Sequence, residues 1–191
     1  MLKRTAAGAA LAVAAALVLA GCSGPTTSHE DMPGMGASES ESVQANQADV
    51  MFAAMMIPHH EQAIEMSDMV LAKEGIDPDV ADLAQRIKAA QGPEIELMQQ
   101  WLDDWGVDEM PSSMDHGGMM GEGDMDALEQ ADGAEASRLF LEQMIVHHEG
   151  AIEMAEDELE GGENPDALEL ASAIIEAQST EIEEMQELLA R

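Results

Sequence analysis

The sequence predicts an all-α protein, a four-helix bundle made of two duplicated helical hairpins. Three observations carry that prediction. Apolar residues recur with the helical period of about 3.6 along most of the chain after residue 45. The block M-I-P-H-H-E-Q-A-I-E-M at 56–66 returns as M-I-V-H-H-E-G-A-I-E-M at 144–154, an offset of 88. The segment after each block repeats as well: Pro78, Gln91, Glu94, Ile95 and Met98 match Pro165, Gln178, Glu181, Ile182 and Met185 at an offset of 87. One residue is lost in the intervening turn.

The elements follow in order. Residues 1–21 carry Lys3 and Arg4, then an apolar run from Ala6 to Ala20, which reads as a secretory signal. The run falls short of the roughly 20 residues that a membrane span needs. Leu19-Ala20-Gly21-Cys22 resembles a bacterial lipobox, which would make Cys22 the lipidated N-terminus of the mature protein and a membrane anchor. Residues 22–45 are rich in Ser, Gly, Pro and Glu and read as a disordered tether. The first hairpin covers 46–106. One helix begins near Asn46 and continues to Gly75; a second opens on Asp77 as N-cap with Pro78 at the first helical position, and stops at Gly106. Pro93 inside that second helix predicts a kink. Residues 107–125 form a Met- and Gly-rich loop. The second hairpin covers 126–191, with a third helix from about Asp126 to Leu159 and a fourth that starts at Asn164-Pro165. Short turns inside each hairpin and one longer connection between them define the bundle.

Composition narrows the function. The chain has 40 Asp and Glu against seven Lys and Arg, a formal net charge of −33, and loss of Lys3 and Arg4 leaves it more acidic still. Such a surface excludes nucleic acid as a partner, because phosphate must be neutralised by Lys and Arg. It suits a solvated exterior or the attraction of cations. Cys22 is the only cysteine, so soft-metal chemistry would fall to thioether sulfur, and 17 methionines are present.

Four of the six histidines sit in the two repeated blocks. At about 100° per residue, Phe52, His59, Ala63 and Met66 share one stripe, with His60 at its edge and Glu61, Glu65 and Asp68 opposite. Phe140, Met144, His147, Ala151 and Met154 repeat the inward stripe, and Glu149, Glu153 and Glu156 the outward one. On the following helices Gln91 and Glu94, with Gln178 and Glu181, lie on apolar faces, where polar groups need partners. They are placed to hold the imidazoles in one tautomer, as outer groups do around metal ligands. A hydrogen-bonded core network without metal is the alternative. Di-iron bundles use Glu-x-x-His, whereas here Met56 and Met144 stand three residues before His59 and His147. Thioether in place of carboxylate moves the preference from iron toward copper, Cu(I) in particular. A second group, Met114, His116, Met119 and Met120 in the loop, is placed to form an auxiliary Met/His site; Met110 and Met125 lie in the same loop, and His29, Met32 and Met35 in the tether.

The paired M-I-x-H-H-E-x-A-I-E-M blocks, A-Q-x-x-E-I-x-x-M in each second helix, and W-L-x-x-W-G at 101–106 resemble the domain-of-unknown-function 305 family. The resemblance covers roughly residues 46–190. It implies a ferritin-like helical bundle in a secreted or lipid-anchored protein, with copper binding in some members. By resemblance the ligand roles fall on Met56, His59, His60 and Met66, and on Met144, His147, His148 and Met154. Val146 replaces Pro58 and sets the two blocks apart. The leading expectation is an extracytoplasmic lipid-anchored protein that sequesters or hands on copper, alone, as a homo-oligomer or with a copper-handling partner. A metal-dependent oxidase and a non-metal structural or interaction module are the alternatives. No catalytic constellation is recognised.

Overall fold

The structure is a computed structural model that describes residues 45–107 and 117–191. Cys22, the tether residues His29, Met32 and Met35, and Met110, Met114 and His116 of the loop lie outside the described residues. Among the described residues there are five helices: α1 (Gln47–Leu71), α2 (Pro78–Asp104), α3 (Glu122–Gln130), α4 (Gly133–Gly161) and α5 (Pro165–Leu189). None is long and apolar enough to cross a membrane.

The helix starts obey local chemistry. Asn46 caps α1 by accepting from the backbone N–H groups of Ala48 and Asp49, and Asp49 returns the contact to the Asn46 N–H. Asp77 and Asn164 cap α2 and α5, each ahead of a proline at the first helical position. Helices α1 and α2 continue unbroken through Pro58 and Pro93.

Helices α1 and α2 form one hairpin, α4 and α5 the other, and α1 packs antiparallel to α4. Polar ties fix that pairing at both ends. At one end Asn46 Nδ2 donates to the Gly161 carbonyl at 2.7 Å, and the Glu163 and Asn164 N–H groups donate to Asp49 Oδ1 at 3.0 and 2.9 Å. At the other end the Asp77 N–H donates to Ser137 Oγ at 3.0 Å. Asp49 and Ser137 are 88 positions apart, so one tie is the counterpart of the other.

The third predicted helix is corrected by the structure: it is two helices, because the chain is extended at Ala131 and Asp132. Gly133 then takes a positive φ of 55°, and its Cα lies close against Gly75 in the first hairpin turn. The short α3 thus turns aside and lays the fully buried Leu128 against Val70, Leu83 and Phe140 in the core between α1 and α4. A second cluster at the opposite end joins Phe52, Met98, Trp101, Met154 and Ile174. The histidine pairs lie between these two clusters.

Candidate metal centre

The helical period alone sets the direction of the four histidines, and all four are fully buried. His59 of α1 and His147 of α4 meet across the seam between the hairpins, ring centroids 3.7 Å apart and tilted by 37°. His60 and His148 turn instead toward their own hairpin partners. The His60 Nε2–Glu94 Oε2 and His148 Nε2–Glu181 Oε2 distances are both 2.7 Å. Each carboxylate accepts from Nε2–H, so the tautomer leaves Nδ1 as the lone pair. That atom is buried and without a hydrogen-bond partner in both His60 and His148.

Burial holds His147 far below the ordinary histidine range, and the neighbouring His59, His148 and His60 rings add to the effect. A backbone contact with His59 opposes it only in part. This ring is therefore neutral, the form in which imidazole ligates a metal. Among the described residues no three His, Cys, Asp or Glu side chains form a ready nitrogen and oxygen cage. Thioether sulfur is the further donor type close to the His59 and His147 rings. Met56 and Met144 are both fully buried, one helical turn from His59 and His147 on the inward stripe. The neutral imidazole of His147, the nearby thioethers and the carboxylate-bonded rings of His60 and His148 suit a soft cation that needs no charge-balancing cage.

The eight predicted ligands do not gather at one point. Met66 and Met154 lie seven residues beyond His59 and His147, about 10 Å along the helix, and in opposite core clusters. His59 and His147 meet at the seam, whereas Met56 and Met144, like the outer pair, are divided between the two clusters. Gln91 and Gln178, one turn before Glu94 and Glu181, are buried at 3% exposure, each with an Oε1 that accepts no hydrogen bond. The exchange of Pro58 for Val146 does not disturb the centre: both helices are continuous there, and both histidine–glutamate distances are the same.

Of the auxiliary loop group, Met119 and Met120 are described. Gln62 grips the Met120 backbone at both polar groups, donating to its carbonyl at 2.9 Å and accepting from its N–H at 2.7 Å. The counterpart of Gln62 in the second block is Gly150. A Cβ on Gly150 would fall 2.7 Å from the Gly118 Cα, so glycine is what lets the 117–118 backbone lie directly on α4. The difference between the blocks thus seats the 117–120 segment across α1 and α4, one turn from the histidines.

Sequence reading missed the buried carboxyl pair of Asp49 and Glu158, exposed by 0% and 1%. Burial pushes Glu158 up to about 8, and the hydrogen bond and charge of Asp49 add to the rise. Burial alone would raise Asp49 too, but the N–H donors of Asn164, Asn46 and Glu163 overcome it and hold it below the carboxylate range. Glu158 therefore carries a proton that it shares with Asp49. Its place one turn beyond Met154 on the inward stripe was the available signal.

The sequence matches the family model "Domain of unknown function (DUF305)" over residues 49–189. A search of curated proteins gives no match. Among solved structures, a secreted DUF305 protein from Streptomyces coelicolor is 34% identical, covering 75% of this chain and 91% of that one, with a TM-score of 0.70. A DUF305 fragment from Deinococcus radiodurans is 30% identical, covering 78% of this chain and 99% of that one, also at 0.70. CopM in its Cu(II)-bound form is 35% identical, covering 74% and 95%, at 0.65. CopM has also been solved with Cu(I) and with silver. With this coverage, and with the doubled histidine block at its core, the chain belongs to the DUF305 family.

Proposed function

We propose that this protein is an extracytoplasmic, lipid-anchored copper-binding protein that sequesters the ion or hands it on. The observation that carries the reading is the meeting of His59 and His147 across the hairpin seam, between two carboxylate-locked histidines. Packing alone does not account for it. Each buried polar atom without a partner costs about 1–3 kcal/mol, and the Nδ1 atoms of His60 and His148 are in that state. An ion at the seam would repay those groups. The thioethers of Met56 and Met144 favour Cu(I), and the kinship with CopM, solved with Cu(I), Cu(II) and silver, supports the same class of cargo. Glu94 and Glu181 would orient His60 and His148 before the ion arrives, while the apolar clusters on either side exclude water.

The location rests on the signal-like residues 1–21, the lipobox-like stretch ending at Cys22, and a secreted relative. The oxidase alternative lacks the Glu-x-x-His motif of di-iron bundles. The test is a Cu(I) titration of the mature protein against a competing chelator. The reading predicts tight binding that collapses when His59, His60, His147 and His148 are all changed to alanine. Unchanged affinity in that variant would overturn it. X-ray absorption on the loaded protein separates the sulfur shell from the nitrogen shell by distance.

A further inference from the structure

The repeat makes the two ends of the α1–α4 seam comparable position by position, and they differ in one respect. A cavity of about 190 Å³ opens where α1 begins and α4 ends, lined by Met51, Phe52 and Met55 of α1 and Met154, Asp157 and Glu158 of α4. At an offset of 88, the counterparts of Met51, Met55 and Glu158 are Leu139, Gln143 and Val70. That opposite end is filled: Leu128 of α3 packs in the cluster of Val70, Leu139, Met66 and Phe140, and Gln143 Nε2 donates to the Asp124 carbonyl at 2.9 Å. Leucine and valine therefore suffice to pack this kind of groove. The cavity end carries thioethers and a buried carboxyl group instead.

Met51 and Met55 are one turn apart on α1, and Met154 and Glu158 one turn apart on α4, so each pair shares a helix face. Glu158 is 1% exposed and lines the cavity, and its carboxyl oxygens accept no hydrogen bond from the described residues. Met51 and Met55 are half-buried, open to an arriving ion, and Met154 is buried behind them. The sulfur of Met51 now takes only a weak contact from Gln47 Nε2 at 3.9 Å. Thioethers on unbranched, flexible side chains can close on a soft cation without moving the backbone.

We infer that this cavity is a second metal site, separate from the histidine seam, which takes a soft monovalent cation such as Cu(I) or Ag(I). The thioethers of Met51, Met55 and Met154 are its ligands, with the Glu158 carboxyl as the oxygen beside them and Asp157 at the rim. The preference follows from donor type, since three neutral sulfurs disfavour hard divalent ions. The site needs neither the histidines nor the reading given to them.

The test uses mature protein with 13C-labelled methionine methyl groups, titrated with Ag(I) and followed by NMR, with native mass spectrometry for the number of ions bound. The three methyl resonances of Met51, Met55 and Met154 should shift together. The variant carrying Met51→Leu and Met55→Leu, side chains of similar volume, should bind one ion fewer per chain while the Met56 and Met144 resonances still respond. Shifts at Met56 and Met144 alone, or an ion count unchanged in the double variant, would overturn this site and leave the histidine centre standing. Shifts at Met51, Met55 and Met154 alone would uphold it and count against the histidine centre.

Discussion

Changing Glu158 to Gln should make the bundle more stable at alkaline pH, although it removes a buried acid. The neutral carboxyl of Glu158 donates to the Asp49 carboxylate, and a glutamine amide can donate in its place. The folded protein holds the Glu158 proton up to about pH 8, against an ordinary value of 4.5. A carboxyl raised in this way favours folding fully below about pH 4.5. Its contribution is lost as pH rises from there through about 8. At ~1.4 kcal/mol for each pH unit the loss is capped at roughly 5 kcal/mol. Because Asp49 shares the proton, about half of that, 2–3 kcal/mol, is the expected size. Urea unfolding of both proteins at intervals from pH 4 to pH 9 measures it. Repulsion among the other acids is common to both and cancels in the difference. The two curves should coincide near pH 4.5 and separate steadily to pH 8, with E158Q the more stable. Parallel curves across that range would show that Glu158 is ionised in the folded state, and would refute the shared proton.

Removing the tautomer locks with Glu94→Ala and Glu181→Ala should weaken Cu(I) binding about 10- to 100-fold in chelator competition, as loss of an outer carboxylate does elsewhere. Saturating copper should raise the unfolding free energy of the wild-type protein by about 2.7 kcal/mol at a hundredfold excess over Kd, and a strong Cu(I) chelator should abolish the gain in a thermal melt. Gly150→Ala should displace the 117–118 backbone and cost about 1–3 kcal/mol of stability, visible as faster amide exchange at 117–121. Gln62→Ala should loosen the same segment from the α1 side without altering the close approach of His59 to His147.

The helices, their caps and the inward direction of the histidines were legible because each depends on local rules. Asn46, Asp77 and Asn164 announce helix starts by side chain, and the 3.6-residue period alone places Phe52, His59 and Ala63 on one stripe. The outward acids Glu61, Glu65 and Glu149 are exposed as that period requires. His60 falls at the edge of the α1 stripe because that stripe describes only one of the helix's buried faces. It faces α2 while His59 faces α4, and a helix inside a bundle has two such faces. The break at Ala131–Asp132 was not legible. Apolar periodicity runs across it, and only the close approach of Gly133 to Gly75 forces the chain to turn there. Nor did the matching blocks reveal that Met66 and Met154 would be parted, since the antiparallel packing of α1 on α4 sends equal positions to opposite ends.

That antiparallel packing also explains why the repeat stayed alike in one place and diverged in others. Two helices crossing antiparallel, with an approximate two-fold relation, share a midpoint where counterparts meet each other, as His59 meets His147. Any side chain placed there appears twice in one site, so a residue pair is enough to double the donor count. Away from the midpoint counterparts are separated, and each end is free to specialise. One end takes Leu128 and the Gln143 contact to Asp124 and becomes packed core. The other keeps Met51, Met55 and the protonated Glu158 around an open cavity. The Gln62 and Gly150 pair is the intermediate case, one turn from the midpoint, where two different residues grip two parts of the same short segment. The histidines stay identical while Pro58 and Val146 beside them, and Gln62 and Gly150 just beyond, already differ, as expected if the seam is the part whose chemistry needs both copies.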